Sequence, residues 1–352
     1  MTKIYVIGLE KIESRYTWYW HDHVPNLLDT GKYEIIRIDG DDIPATTTPG
    51  AFIDFGATNI YKSSQLMIIA QLFRENKIND GDRFLYTDAW NPTILQLKYM
   101  ASLLNKKIEI HGLWHASSSD PHDFLGRLIG NQNWIRNLEK SLYDAIDCNW
   151  YATKFSKTLL NPYKDEKLSI NDWYRYDMKA KITGWPMEYM ENLLPKSTIK
   201  KDQIVFPHRL APEKNLHIFE ELEKMLPQYE FVVCQKEKLS KDEYHKIMAE
   251  SKICFSASDQ ETYGIAMCCE APLMDVWPLA PYRLSYKEIF KNYPGFVYQD
   301  GLEKTNLHVI ADQIVSIMNM NDDERTKYIK NFINNDYKIF AHATNLIDAI
   351  LR

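Results

Sequence analysis

The chain has 352 residues, 45% of them apolar and 26% charged, with a formal charge of −6. That length exceeds what one hydrophobic core ordinarily serves, so two domains are expected. The acidic balance excludes a broad basic field for non-specific polyanion binding, which would instead need a local patch.

MTKIYVIGLEK enters a strand at once and has no hydrophobic leader, which predicts a cytoplasmic protein. Then RYTWYWHDHVPNLLDTG places Tyr16, Tyr19, Trp20, His23 and Leu27 at helical spacing before a Gly31 stop. YEIIRIDG, AFIDFG, RFLYTDA and KIEIHGLW read as further strands, with helical segments around 58–75 and 92–104. DCNWYAT, 147–153, reads as the last strand of this half. Residues 154–200 have short runs and prolines and read as a connector. Alternation restarts with QIVFPH and continues through YEFVVCQ, KICFSAS, VWPLAP and GFVYQD. The tail from 303 is helical, with Leu307, Ile310, Ile314 and Ile317 on one face. Strands alternating with helices predict α/β architecture, two Rossmann-like αβα domains facing across a cleft. The boundaries expected are 1–195, 196–335 and a helix over 336–352 that packs back on the first domain. No stretch approaches the ~20 apolar residues of a membrane span.

The five cysteines, Cys148, Cys234, Cys254, Cys268 and Cys269, form no Cys-x-x-Cys pair and lie mostly in apolar runs. They read as buried reduced thiols.

The chemistry concentrates in the second half. HRLAPEKN, 208–215, follows a buried strand and precedes a helix beginning near Leu216, so Arg209 and Lys214 share one short loop. Arg offers a planar fork and Lys a point charge to phosphate oxygens. The plain alternative is a solvated loop in which Pro212 and Glu213 start a helix. SASDQETYGIAMCCEA, 256–271, then reads as strand end, polar loop and a helix from about Thr262. Gly264 there lets a ligand approach free backbone N–H groups that favour phosphate.

RLAPEKN, ASDQETYGIAMCCEA and PLAPYRLSY, in that order, resemble the retaining GT-B glycosyltransferases, the family of sucrose synthases and many lipopolysaccharide sugar transferases. The resemblance covers some 80 residues strongly. It implies that Arg209 and Lys214 hold the diphosphate of a nucleotide-sugar, a UDP-sugar by preference. It implies that Thr262, Tyr263 and Gly264 face the donor sugar and distal phosphate, and that Glu270 holds the ribose. Fixed cations would then stabilise the departing diphosphate more than the bound donor.

One residue more than the family pattern lies between Glu261 and Glu270. Counted back from Glu270, Thr262 takes the first acidic place, and at about 100° per residue the side chain turns far round the helix. Glu261 reaching from the loop, a bulge restoring the register, or Thr262 itself would resolve it; Glu261 is the preferred catalytic carboxylate. In the first half the resemblance implies a His at a strand end near the donor sugar. His115 fits that place, with His111 second and Asp120 on the same loop; structural loop histidines are the plain alternative. Gly8 stands alone where many relatives have paired glycines. His23, in the aromatic RYTWYWHDH, is an acceptor-side candidate beside simple core packing. DGDD, 39–42, reads as a polar turn, and no metal or other cofactor is expected.

These residues predict a retaining transferase moving a sugar from a nucleotide-sugar to an acceptor hydroxyl. In compact length and Lys/Asn/Tyr-rich composition the chain looks similar to bacteriophage enzymes that glycosylate hydroxymethylated pyrimidines, which implies 5-hydroxymethylcytosine or its like in bacteriophage DNA as acceptor, with double-stranded DNA as partner. Cell-surface polysaccharide assembly is the rival acceptor. A nucleotide-sugar-binding protein without catalysis and a sugar-nucleotide isomerase of the same architecture are the rival functions.

Overall fold

The computed structural model describes all residues except 14, 44–52, 131, 165, 168, 197–198 and 237–238. Two compact units emerge: residues 1–152, 156–186 and 343–352 form the first, residues 153–155 and 187–342 the second. These bounds differ from those expected at 195/196 and 335/336. The reason is local: Met187 N donates to Ala341 O at 3.0 Å, and His342 Nε2 lies 2.6 Å from Glu191. Residues 187–191 are thereby tied to the end of the second unit.

The first unit holds six strands: β1 Lys3–Ile7, β2 Glu34–Ile38, β3 Arg83–Tyr86, β4 Glu109–Leu113, β5 Cys148–Tyr151 and β6 Ala180–Ile182. They form one parallel sheet in the order β2-β1-β3-β4-β5-β6. β1 and β3 are apolar almost throughout because helices cover both faces of a parallel sheet. Tyr5 of β1 stacks on Phe84 of β3 at 4.7 Å, and both are fully buried. β6, within the expected connector, is a sixth strand that three residues could not announce.

AFIDFG is not a strand where it is described. Asp54 accepts from Gly56 N and Ala57 N, both at 2.9 Å, and so caps the helix Phe55–Arg74. The first two residues of that expectation, and DGDD's continuation past 43, lie outside the described residues. Asp39 of DGDD pairs with His21, Lys11 and Arg37, and His21 with Lys11 keeps its carboxyl well below the usual range.

The second unit has β7 Lys201–Phe206, β8 Glu230–Val233, β9 Ser251–Phe255, β10 Trp277–Pro281 and β11 Val297–Tyr298, in the order β11-β10-β9-β7-β8. Each sheet thus has a switch point. The chain leaves β1 for β2 and returns on the other side of β1 as β3; it leaves β7 for β8 and returns beside β7 as β9. Crevices at the carboxyl ends of such strand pairs are where α/β sheets bind ligands.

The last helix, Thr344–Leu351, belongs to the first unit. Tyr33 Oη donates to Leu351 O at 2.8 Å, Leu346 N to Thr183 Oγ1 at 3.1 Å, and the Arg83 guanidinium to Ile350 O. Among the described residues no helix is long and apolar enough to cross a membrane. All five cysteines are unpaired thiols.

Candidate functional site

In the second unit, β7 and β9 end side by side, and the loops that follow them are stitched together. A turn of 3₁₀ helix at Pro212–Lys214 leads to Asn215, whose left-handed backbone (φ 53°) starts the helix Leu216–Met225. Asn215 Nδ2 donates to Ala257 O at 2.9 Å and to Asp259 Oδ2 at 2.8 Å, and Asp259 N donates to Glu213 O at 2.8 Å. The two loops therefore hold each other's shape.

Both expected cations lie on this surface, each with a carboxylate. Arg209 Nη2 donates to Glu213 Oε1 at 2.6 Å, while its side chain stays about a third exposed. Lys214 is buried. Its Nζ donates to Ser258 Oγ at 3.1 Å, to Glu261 Oε1 at 2.7 Å and to Gln260 O. Gln260 Oε1 lies at 3.3 Å as well, so three N–H groups face four acceptors, and a diphosphate oxygen can engage Lys214 only by replacing one of them. Glu261, part-exposed on the loop, is the partner most easily moved.

His208 was not singled out by sequence, yet it completes this cluster. Nε2 lies 2.9 Å from Ser256 Oγ, and Nδ1 is 3.5 Å from Glu261 Oε1. Burial pushes its imidazole well below the usual range, helped by the nearby charges of Lys214 and Arg209, so the ring is neutral.

Gly264 stands at the head of the following helix with φ 83°, and a Cβ there would meet Tyr286 Cε1 at 2.6 Å. Only glycine suits both constraints. Thr262 is part-exposed beside it. Tyr263 is different: its side chain is buried, with Oη 3.3 Å from Cys269 Sγ. The Tyr263 ring thus serves the core, and its carbonyl accepts from Ser285 Oγ at 2.9 Å.

Residues Ala266–Glu270 then form a π turn, closed by Ala271 N on Ala266 O. A π turn takes up one residue more than an α turn. Glu261 is the carboxylate beside Lys214. Glu270 is buried, accepting from Tyr244 Oη at 2.6 Å with His245 Nε2 at 3.5 Å.

Arg283, from PYRLSY, braces the whole surface. It donates to Ser258 O at 3.0 Å and Ala257 O at 2.9 Å, and pairs with Asp259, Asp300 and Glu303. A lone Arg after an apolar strand was its only signal in the sequence.

In the first unit, the candidates spread over several places. His115 Nε2 lies 2.7 Å from Thr87 O and so carries the proton, while Nδ1 accepts from Tyr16 Oη at 2.6 Å. The ring stacks on Trp185 at 4.5 Å, and burial lowers its pKa. His111 is inside β4, accepting from Trp150 Nε1 at 3.1 Å with Glu109 Oε1 3.2 Å from Nε2. The resemblance implied a place at the strand end; the register puts it within, opposite Cys148. Asp120 is buried and caps its own turn through His122 N at 2.9 Å. Gly8 lies against His21, where a Cβ would approach Cε1 to 2.9 Å. His23 is part-exposed on the helix Trp20–Leu28. Trp20 of the aromatic run packs on Trp185 at 5.8 Å and belongs to the core.

A cavity of about 390 Å³ opens at the carboxyl ends of β1 and β3, lined in part by Leu9, Glu10, Asp88, Trp90 and His115. Of the five first-unit candidates, only His115 is among its described lining residues.

Neither a family model nor a curated protein sequence matches this chain. Solved structures match in fold. The N-terminal domain of trehalose-6-phosphate phosphatase from Candida albicans aligns with a TM-score of 0.66 and 12% identity, over 99% of this chain and 96% of that one. The catalytic domain of starch synthase IV from Arabidopsis thaliana, bound to ADP and acarbose, aligns at 0.63 and 11%, over 99% and 98%. HepE from Anabaena, in complex with UDP-glucose, aligns at 0.56 and 12%, over 99% and 98%. Two parallel-sheet α/β domains in this order make up the GT-B fold of glycosyltransferases, and this chain has that fold.

Proposed function

We propose that the chain is a retaining glycosyltransferase that takes its sugar from a nucleotide-sugar, a UDP-sugar by preference, without a metal or other cofactor. The observation that carries the reading is the joined pair of loops after β7 and β9, where Arg209, Lys214, Glu261 and Gly264 meet at a helix start. The fold shared with structures holding UDP-glucose or ADP supports it.

In this reading the diphosphate lies against Arg209, Lys214 and the backbone at Gly264. One phosphate oxygen takes the place of Glu261 on Lys214, and the freed carboxylate accepts from a sugar hydroxyl. The acceptor oxygen bonds to the anomeric carbon as the bond to the diphosphate breaks on the same face. The acceptor's proton passes to the leaving phosphate oxygen, so no separate base is required. Glu270 reaches the ribose in exchange for Tyr244 or beside it. His115, with both ring nitrogens occupied, shapes the acceptor side rather than moving a proton.

The composition-based expectation of hydroxymethylated pyrimidine in phage DNA gains no separate support from side-chain geometry. Two basic groups at the first-unit cavity have acidic neighbours, Arg15 with Glu10 and Lys62 with Asp88.

The test is nucleoside diphosphate release from a panel of nucleotide-sugars, with and without acceptor. Lys214→Ala should lower turnover by about a hundredfold or more. Arg209→Gln, at a position exposed enough to keep the fold, should lower it at least about tenfold. Nuclear magnetic resonance of the product should show the donor's anomeric configuration retained. Wild-type turnover in both variants, or an inverted product, would overturn the proposal.

A further inference from the structure

We propose that the cavity of the first unit receives an apolar, ring-bearing part of the acceptor, with an acceptor hydroxyl or amine donating to Glu10 Oε1. The inference rests on the glycosyltransferase reading and names the acceptor class for it. The volume, about 390 Å³, falls within the roughly 300–1,000 Å³ of small-molecule sites.

The walls are mainly apolar: Leu9, Phe55, Trp90, Phe124, Leu125 and Ile129. Phe55 and Phe124 stack with centroids 5.5 Å apart and planes at 24°, presenting flat carbon surface. The charged lining groups largely satisfy one another. Arg15 Nη1 donates to Glu10 Oε2 at 3.1 Å, and Lys62 Nζ donates to Trp90 O at 3.1 Å with Asp88 at 3.8 Å.

Glu10 is 1% exposed, and its Oε1 has no hydrogen-bond partner among the described residues; Thr58 Oγ1, on the same wall, also lacks one. A buried carboxylate oxygen without a donor is costly, and a ligand O–H or N–H relieves that cost. Two such groups in an otherwise apolar chamber select a ligand with one or two polar anchors and an otherwise carbon surface. A bare sugar ring carries hydroxyls on every side and would leave most of them unpaired against these walls. A flipped pyrimidine shows several donors and acceptors along one edge, and meets the same objection.

The test is calorimetry without donor, using p-nitrophenyl β-glucoside, methyl β-glucoside and a duplex containing hydroxymethylcytosine. The aryl glucoside should bind at least about tenfold tighter than the methyl one. Leu128→Trp, at an exposed lining position, and Leu125→Phe should each weaken aryl binding, with the melting temperature recording whether either variant is unfolded. Glu10→Gln should weaken it too. Equal affinity for the two glucosides, preference for the duplex, or folded variants that bind as the natural protein does would each overturn the proposal. Diphosphate release that ignores the aryl group would overturn this inference alone. Aryl binding with no release from any donor would instead overturn the activity, and with it the acceptor role.

Discussion

Lys214 and His208 sit side by side in the second unit, one charged and one neutral, and the contrast follows from their partners. Four acceptors surround the Lys214 ammonium; His208 has a hydroxyl and a distant carboxylate, within a buried site that already contains two cations. Its folded pKa is therefore below the ordinary 6.5, whereas the unfolded ring titrates near that value. Between the two values the unfolded chain binds more protons. Stability is complete above about 6.5 and falls with acid, by up to about 1.4 kcal/mol per pH unit for one ring. Buried His115 acts in the same direction in the first unit. Urea titrations at about pH 7.5 and 5.5 should record the drop, and His208→Gln should shrink it in the second unit. Gly264 carries a separate prediction. With φ at 83° and Tyr286 at 2.6 Å from any Cβ, Gly264→Ala should cost about 2 kcal/mol or more. Denaturant midpoints measure it, and Tyr286→Ala beside it should recover part of the loss.

Arg283 shows how one side chain can join several elements. It spans the loop after β9 and the segment after β11, and its partner Glu303 has a fully buried carboxylate. Arg283→Ala would strand that charge and should cost about 3–5 kcal/mol. Combined with Glu303→Gln, the loss should be clearly smaller than the sum of the two single changes. Such long-range partners explain which parts of the site were legible in the sequence. Arg209, Lys214, Gly264 and Glu270 stood out because loops between strand and helix leave local marks. That Lys214 meets Glu261, 47 positions onward, depends on β7 and β9 being neighbours, which no local pattern records. The Tyr263 ring packs against Cys269 in the core, a contact no local pattern records. Strands were read from apolar runs; AFIDFG failed because a capping Asp54 outweighed three apolar neighbours.

The chain does not visit its two units once each. After the second unit is complete it returns to the first, where Leu346 and Ile350 are almost wholly buried and Tyr33, Arg83 and Thr183 bond the terminal helix. Burying two such side chains contributes about 1.5–3 kcal/mol each. Deleting residues 343–352 should therefore lower amide-exchange protection in β1 to β6 while leaving β7 to β11 close to normal, as mass spectrometry would resolve. Equal losses in both units would contradict the division. The same path sets an order of events during synthesis. A ribosome delivers all of β7 to β11 before it delivers the closing helix of the earlier sheet, so the part translated first is finished last. Until then the nascent protein carries an uncovered apolar groove, and its dependence on chaperones should outlast the emergence of the second sheet.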